Sequence, residues 1–204
     1  MFWTERATEF LRSGPEAMEI DHDRVMHLAQ EYLSMVDPGQ SGLKYVTDKN
    51  PTNVHLAGLL RGVFPNAKMI HLKRHPVDNL LSMWMTPFDE SVRCASNKEN
   101  LVAFYCDYLR LFKHLQEVLP EDRFRTVRYE DLTSNPDRTI TGMLDYLGLQ
   151  AERACFEPEK NKRAVLTPSV FQVRQPIHRD SQARWKNYLP WLSSFSDLLA
   201  DSDE

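Results

Sequence analysis

The sequence predicts an α/β protein in which a parallel sheet is flanked by helices. Short runs of β-branched and apolar residues recur along the chain, and most lead into a segment with apolar residues at helical spacing. Pro, Gly and Asn mark the boundaries between these segments. Strands that alternate with helices favour parallel pairing, because a parallel connection needs a crossover segment.

The chain begins with a predicted helical arm over residues 1–41. Apolar side chains recur at helical spacing over residues 2–12 and over residues 21–36, with a Ser-Gly-Pro breaker between them. A linker rich in turn residues follows, and the pattern then changes to strands and helices. Residues 42–204 are therefore predicted to form the main domain.

Three strands and four helices are predicted in this domain. The strands are Lys44–Thr47, Lys68–Lys73 and Phe124–Tyr129. The helices cover residues 52–64, a segment that begins at Pro76, residues 99–118 and residues 135–149. From about residue 153 polar residues and prolines interrupt the periodicity, so the tail is expected to wrap over the ligand face and to add no strand.

Composition disfavours several functional classes. A net charge of −4 and a pI near 6.0 argue against nucleic-acid and anionic-membrane partners, which need a dominant positive field. The sequence has no apolar run of about 18 residues and no signal-peptide pattern. Its three cysteines are widely spaced and have no histidine pair nearby, which predicts buried thiols in a reducing compartment, no metal site and a cytoplasmic location.

The end of the second predicted strand carries the best local signal for chemistry. Arg74 follows this strand, Pro76 begins a helix, and Ser82 lies in the second turn of that helix. In a parallel sheet the strand ends and the following helix N-termini face the ligand, and guanidinium and hydroxyl groups suit a phosphate. The spacing predicts a phosphate site. The alternative is a surface arginine and a serine buried in the helix.

A second cation comes from the turn after the first predicted strand. Lys49 lies in the motif Thr47-Asp48-Lys49-Asn50-Pro51. Adjacent parallel strands would place Lys49 beside Arg74 at the same edge, where both would face an anionic ligand. The alternative is a solvated lysine in a turn that precedes a helix.

The tail supplies a third group of polar residues. Ser169 and Arg174 lie within residues 167–177, and Arg184 precedes Trp185. Basic and hydroxyl residues around an aromatic side chain suit a segment that closes over a phosphorylated nucleoside. The alternative is that Trp185 fills the core and the arginines are on the surface.

Seven blocks of the sequence follow one another in a characteristic order. They are Val46–Asn53, Gly58–Leu60, Phe64–His71, Arg74-x-Pro76-x-Asp78, Val127–Leu132, Leu147–Leu149 and Gln172–Ile177. In this order, and at about this spacing, they resemble bacterial tetratricopeptide-linked sulfotransferases, which are relatives of the tyrosylprotein sulfotransferases. The resemblance covers about residues 42–192 and implies a P-loop-nucleotide-binding-like sulfotransferase fold.

The resemblance also implies a donor and a set of roles. The donor is 3′-phosphoadenosine 5′-phosphosulfate (PAPS), and no metal is needed. Arg74 and Ser82 resemble the pair that binds the 3′-phosphate, and Lys49 resembles the catalytic lysine that stabilises the transferring sulfonate and the leaving oxygen. The other positions assigned to the donor are Tyr129, Ser169, Arg174 and Arg184.

One element of the family is not found. A strand and a Pro-Arg-Ser-Gly-Thr-Thr type loop, which cradles the 5′-phosphosulfate, normally lie well upstream of the lysine motif. The tripeptide Arg12-Ser13-Gly14 does not fit, because a helical pattern precedes it and Pro15 follows it. The domain is therefore expected to be N-terminally truncated, with an upstream segment, a partner, a homo-oligomer or a rearranged N-terminal arm completing the sheet. No motif supports His55, His71 or Glu90 as the catalytic base.

Two functions remain as hypotheses. The first is an enzyme that transfers a sulfonate from PAPS to a hydroxyl acceptor of unknown class. The alternative is a truncated, non-catalytic relative that acts as a nucleotide-binding or interaction module.

Overall fold

The computed structural model describes residues 2–12, 22–39, 42–88, 90–162, 172–195 and 198. The chain forms two compact units. The first is drawn from Met1–Lys68 and Leu111–Arg123, and the second from Met69–Arg110 and Phe124–Glu204. The boundary at residue 41 stays a prediction.

Helices build the first unit around a cluster of aromatic side chains. The elements are α1 (Phe2–Arg12), α2 (His22–Val36), and a 3₁₀ turn (Pro51–Leu56) that continues into α3 (Ala57–Val63). The ring of Trp3 lies 4.8 Å from that of Tyr32 and 5.8 Å from that of Phe64, centroid to centroid. Such pairs add to the hydrophobic stabilisation that burial of the rings provides.

The second unit contains the sheet. Its elements are β1 (Met69–Lys73), α4 (Pro76–Met85), a 3₁₀ segment (Glu90–Ser96), β2 (Phe124–Arg128), α6 (Tyr129–Ser134), α7 (Pro136–Leu147) and α8 (Arg153–Phe156). The long helix α5 (Lys98–Val118) begins in this unit, and its last turns belong to the first unit. Strands β1 and β2 pair in parallel, with Met69 opposite Phe124 and Lys73 opposite Arg128. The predicted parallel sheet between helices is confirmed.

The core of the second unit lies between α4, α5 and the described part of the tail. Its buried members are Val77, Leu80, Leu81, Leu101, Tyr105, Leu192, Phe195 and Leu198. The tail contributes short 3₁₀ turns, at Pro158–Lys160, Gln172–Arg174, Arg184–Trp191 and Ser193–Phe195. Among its described residues it adds no strand, as predicted.

The predicted strand Lys44–Thr47 is wrong. These residues belong to no sheet in the described part of the chain, and they are exposed, as the half-exposed Tyr45 and Val46 illustrate. An extended segment becomes a strand only when a neighbour accepts and donates its backbone hydrogen bonds, and local sequence does not report that neighbour.

No helix within the described ranges has the length and apolar character needed to cross a membrane.

Candidate phosphate-binding site

The residues that follow β1 and β2 meet at one edge of the sheet. Lys73 lies opposite Arg128, so Arg74 and Tyr129 come next on the two neighbouring strands. The guanidinium carbon of Arg74 lies 4.9 Å from the centroid of the Tyr129 ring, within the range of a cation–π contact. Arg74 Nη2 also donates a 2.6 Å hydrogen bond to the carbonyl of Ser181. Neither partner is an acid, so the positive charge of Arg74 is not neutralised by them.

The remaining donors of Arg74 fit an anionic ligand. Its Nε is buried and has no hydrogen-bond partner among the described residues. A buried donor left without an acceptor costs about 1–3 kcal/mol. A phosphate oxygen beside Nε would supply the missing acceptor and a charge-assisted bond. The orphaned Nε therefore agrees with the phosphate site that the sequence predicts.

Helix α4 begins beside Arg74 and is fixed at its N-terminus. His75 caps the helix through Nδ1, which accepts a long hydrogen bond of 3.5 Å from the N–H of Asp78, and Pro76 is the first helical residue. The backbone N–H of His75 donates to Glu130 Oε1 at 2.9 Å. This last contact joins the start of α4 to the start of α6, the two helices that follow the paired strands.

One stripe of α4 faces residues 181–185. Asp78, Ser82 and Met85 lie at positions i, i+4 and i+7, which share a face of a helix. Asp78 Oδ1 accepts a 2.9 Å hydrogen bond from the N–H of Trp185, and Met85 Sδ accepts one of 3.6 Å from Arg184 Nη2. Ser82 lies between these two contacts. The structure thus brings Ser82 and Arg184 to one side of α4.

Residues 179–185, called the strap below, also bind α6. Gln182 Nε2 donates to the carbonyl of Glu130 and to the hydroxyls of Thr133 and Ser134. Arg179 donates to the carbonyls of Thr133 and Ser134. The last carbonyls of a helix have no partner within it and carry partial negative charge, so a guanidinium is well placed there.

Trp185 packs in two ways. It lies against the core cluster of the second unit, and its ring stacks on that of His75, with 5.2 Å between centroids and 12° between planes. The sequence left open whether this residue fills the core or lies near the ligand. The structure shows core packing combined with contact to the cap of α4.

Lys49 belongs to the first unit, and its turn is organised by its neighbour Asp48. Asp48 Oδ2 accepts a 2.6 Å hydrogen bond from the Tyr32 hydroxyl, and Oδ1 accepts one of 3.0 Å from Asn53 Nδ2. Lys49 itself is exposed and forms no ion pair with any described residue. That Lys49 approaches Arg74 stays a prediction.

Two other predicted residues belong to the tail. Ser169 lies outside the described residues, as do Ser13 and Gly14 of the rejected loop match. Arg174 is exposed, in the turn Gln172–Arg174. The roles of Ser169 and Arg174 in donor binding stay predictions.

The structure does not favour His71 as a base. Burial first, and then the charge of Lys73, lower the pKa of His71 to about 4. Its Nε2 is hydrogen-bonded to the Tyr108 hydroxyl at 2.9 Å, inside the second unit. His55 is exposed in the 3₁₀ turn before α3, and the side chain of Glu90 lies outside the described part.

Within the described part of the chain no group of three His, Cys, Asp or Glu side chains could hold a metal ion.

Three residues that organise the site were not assigned roles from the sequence. Asp78 and Glu130 lie in blocks shared with the family, but nothing in the sequence indicated that their carboxylates would accept backbone N–H groups. An acidic residue in the first turn of a helix is common for electrostatic reasons alone, so Asp78 gave no distinct signal. Gln182 gave none at all.

The chain is similar to a known protein family over most of its length. The model of the Sulfotransferase family matches residues 5–153. The chain belongs to this family. An uncharacterised protein of Aquifex aeolicus is 31% identical over 93% of this chain and 25% of its own length.

Named relatives and a solved structure agree with this assignment. The omega-hydroxy-beta-dihydromenaquinone-9 sulfotransferase Stf3 of Mycobacterium bovis is 28% identical over 56% of this chain and 31% of its own length. Protein-tyrosine sulfotransferase 2 of Gallus gallus is 22% identical over 93% and 53%. The sulfotransferase domain from the curacin biosynthetic pathway has a TM-score of 0.61 at 20% identity, over 85% of this chain and 67% of its own, and shows the fold. The chain spans between a quarter and about half of the length of the curated relatives it matches.

Proposed function

We propose that this chain binds PAPS and takes part in the transfer of its sulfonate to a hydroxyl acceptor. The observation that carries the proposal is the environment of Arg74. Its guanidinium contacts a ring and a carbonyl, and its buried Nε has no acceptor within the described part of the chain. An arginine held in this way at a strand end suits a phosphate ligand.

In the proposed complex, Arg74 and Ser82 bind the 3′-phosphate. Arg74 offers Nε and its charge, and Ser82 offers a hydroxyl that has no hydrogen bond to a described residue. Arg184 is available to a second acceptor, because the thioether of Met85 is a weak partner for a guanidinium. Tyr129 fixes Arg74 from one side through its ring face.

The proposed reaction is an in-line displacement at sulfur. The bond between sulfur and the bridging phosphate oxygen of PAPS breaks, a bond from sulfur to the acceptor oxygen forms, and the proton of the acceptor hydroxyl is released to solvent. The products are the sulfated acceptor and 3′,5′-adenosine bisphosphate. Lys49 is proposed to stabilise the negative charge that develops on the leaving oxygen, which is where catalysis of this kind gains most.

The acceptor class is proposed from the relatives. One is named for an omega-hydroxy menaquinone and another for protein tyrosine, and both of these groups present a hydroxyl. We therefore propose a hydroxyl acceptor.

The decisive experiment is calorimetric titration of the chain with 3′,5′-adenosine bisphosphate. We expect saturable binding that Arg74→Ala weakens by about 10- to 100-fold, the loss of a charge-assisted contact. Arg138, exposed on α7, provides the matched control Arg138→Ala, which should bind as the wild type does. Equal affinity in wild type and Arg74→Ala, or no binding at all, would refute the proposal.

Sulfonate transfer from labelled PAPS to a set of alcohols and phenols then separates the enzyme from the nucleotide-binding module. Product formation that Lys49→Ala abolishes supports catalysis by this chain. Binding of the bisphosphate without transfer to any acceptor supports the module.

A further inference from the structure

We propose that Asp78 and Gln182 are positioning residues that hold the strap, residues 179–185, in the place from which it orients Arg74 toward the 3′-phosphate. This inference rests on the proposed function, because it concerns how the same site is built. Neither residue contacts the ligand in this proposal. Each affects donor selectivity through the orientation of Arg74.

The orientation of Arg74 depends on the strap. Its Nη2 donates to the carbonyl of Ser181, which lies within the strap and far from Arg74 in sequence. With Nη2 bound to the Ser181 carbonyl and the guanidinium carbon over the Tyr129 ring, the direction of the remaining donors of Arg74 is restricted. A displaced strap would release one of these two constraints.

Asp78 anchors the C-terminal end of the strap. Its side chain is almost fully buried, with 2% of the residue exposed, and Oδ1 accepts the N–H of Trp185 at 2.9 Å. Its Oδ2 is buried and has no hydrogen-bond partner in the described ranges. A carboxylate at this depth is costly, and its contact with Trp185 and its place in the first turn of α4 compensate for part of the cost.

Gln182 anchors the middle of the strap to α6. Its amide donates to the carbonyl of Glu130 and to two hydroxyls at the end of that helix. The carboxylate of Glu130 accepts from the N–H of His75, so α6 is joined to the residue that follows Arg74. The Ser181 carbonyl is therefore next to Gln182, which is hydrogen-bonded to the helix that also carries Tyr129.

Backbone strain between the two anchors supports this interpretation. Ala183 has φ 52° and ψ 24°, a left-handed conformation that residues other than glycine adopt at a cost. It lies between Gln182 and Trp185, the two anchored positions. Such strain persists where surrounding contacts determine the backbone more strongly than the local preference does.

The test is the ratio of two dissociation constants, for 5′-AMP and for 3′,5′-adenosine bisphosphate. The two ligands differ by the 3′-phosphate, so the ratio measures how much binding of that group contributes to affinity. Both constants are measured by ligand-observed NMR, which reaches the millimolar range. In Asp78→Ala and Gln182→Ala the ratio should fall by about 5- to 20-fold, with the constant for 5′-AMP unchanged.

Rescue and matched controls sharpen the test. Asp78→Asn keeps an oxygen that accepts the N–H of Trp185, and it should restore most of the ratio. Asp145→Ala and Gln150→Ala make the same chemical changes at exposed positions and should leave the ratio at the wild-type value. If Asp78→Ala fails to fold by circular dichroism, Gln182→Ala alone decides, since its side chain is only half-buried.

The outcomes separate the two proposals. A wild-type chain that does not prefer the bisphosphate to 5′-AMP overturns the proposed function. A wild-type preference that survives in Gln182→Ala and Asp78→Ala overturns the positioning role and leaves the proposed function standing. An equal loss of affinity for both nucleotides also overturns the positioning role, because it indicates a general structural defect and not an effect on the 3′-phosphate.

Discussion

The two cations that the sequence singled out are held in opposite ways. At Lys49 the structure fixes the backbone through the neighbouring Asp48, which binds Tyr32 and Asn53, and leaves the ammonium group exposed. At Arg74 the guanidinium itself is fixed, by a carbonyl and by a ring face. A group that binds a permanent charge benefits from fixed geometry. A flexible group that meets a charge developing during reaction depends on the placement of its backbone, and at Lys49 the contacts of Asp48 fix that turn.

The chemistry of the two side chains agrees with this division. Arginine presents a planar fork that matches phosphate geometry and loses little freedom for each bond formed. Lysine is a compact point charge on a flexible stem. We therefore expect substitutions at Arg74 and around it to act on donor affinity, and substitutions at Lys49 and around it to act on turnover.

The largest effect is expected from Lys49→Ala. Loss of a group that stabilises transition-state charge lowers kcat by about 10²- to 10³-fold, whereas affinity for 3′,5′-adenosine bisphosphate should change little. The measurements are initial rates with labelled PAPS and calorimetry with the bisphosphate. Lys113→Ala, at an exposed position of α5, is the matched control. A large loss of bisphosphate affinity with normal kcat would reverse the division between the two cations.

Tyr32→Phe tests the anchor of the Lys49 turn. Burial, and then the hydrogen bond to Asp48, raise the pKa of Tyr32 to about 12, so the hydroxyl is a donor at any ordinary pH. Its removal leaves one oxygen of Asp48 without that donor. We expect a loss of about 1 kcal/mol in the free energy of unfolding, measured by urea titration. We also expect kcat to fall by about 5- to 10-fold, which corresponds to roughly the same free energy.

Tyr45→Phe is the control for this substitution, because Tyr45 is 54% exposed and its hydroxyl has no hydrogen bond to a described residue. Tyr45→Phe should change neither the free energy of unfolding nor kcat. Weaker bisphosphate binding in Tyr32→Phe would mean that the turn serves the donor nucleotide as well as the leaving oxygen.

The sequence predicted most helices and both paired strands because local signals marked them. Pro76 begins α4, and Gly148, which ends α7, adopts φ 72° in the left-handed region. The segment Lys44–Thr47 had the same β-branched and aromatic character, yet it is exposed and lies outside the sheet. Strand formation depends on a neighbour that can be far away in sequence, which is why the same signal succeeded at β1 and failed here.

For the site, the sequence could predict residue types but not how they are held. Arg74 was predicted from its place after a strand, and the parallel register then explains its contact with Tyr129. The strap contacts join residues about 50 or more positions apart, such as Gln182 to Glu130. A glutamine or aspartate that binds backbone groups at such separation leaves no local pattern.

Tyr129→Leu tests the ring that supports Arg74. We expect the preference for the bisphosphate over 5′-AMP to fall by about 3- to 5-fold, the value of one cation–π contact near 1 kcal/mol. Tyr129→Phe keeps the ring face and should keep most of the preference, which separates the ring from the hydroxyl. If Phe and Leu lower the preference equally, the hydroxyl contacts the 3′-phosphate and the ring does not act through Arg74.

The smallest effect is expected at Ala183. Its strained backbone lies in the strap that holds Arg74. Ala183→Gly removes a left-handed penalty of about 1–2 kcal/mol, and part of this gain is offset because glycine loses more freedom on folding, about 0.5–1 kcal/mol. The free energy of unfolding should rise by less than about 1 kcal/mol. Gly148→Ala is the reciprocal control. A Cβ at this position meets nothing within 4 Å, so the cost of the substitution comes from the positive φ alone. Gly148→Ala should therefore lower the free energy of unfolding. Destabilisation by Ala183→Gly, measured in the same urea titrations, would mean that the strap depends on the alanine methyl group rather than tolerating strain imposed by its anchors.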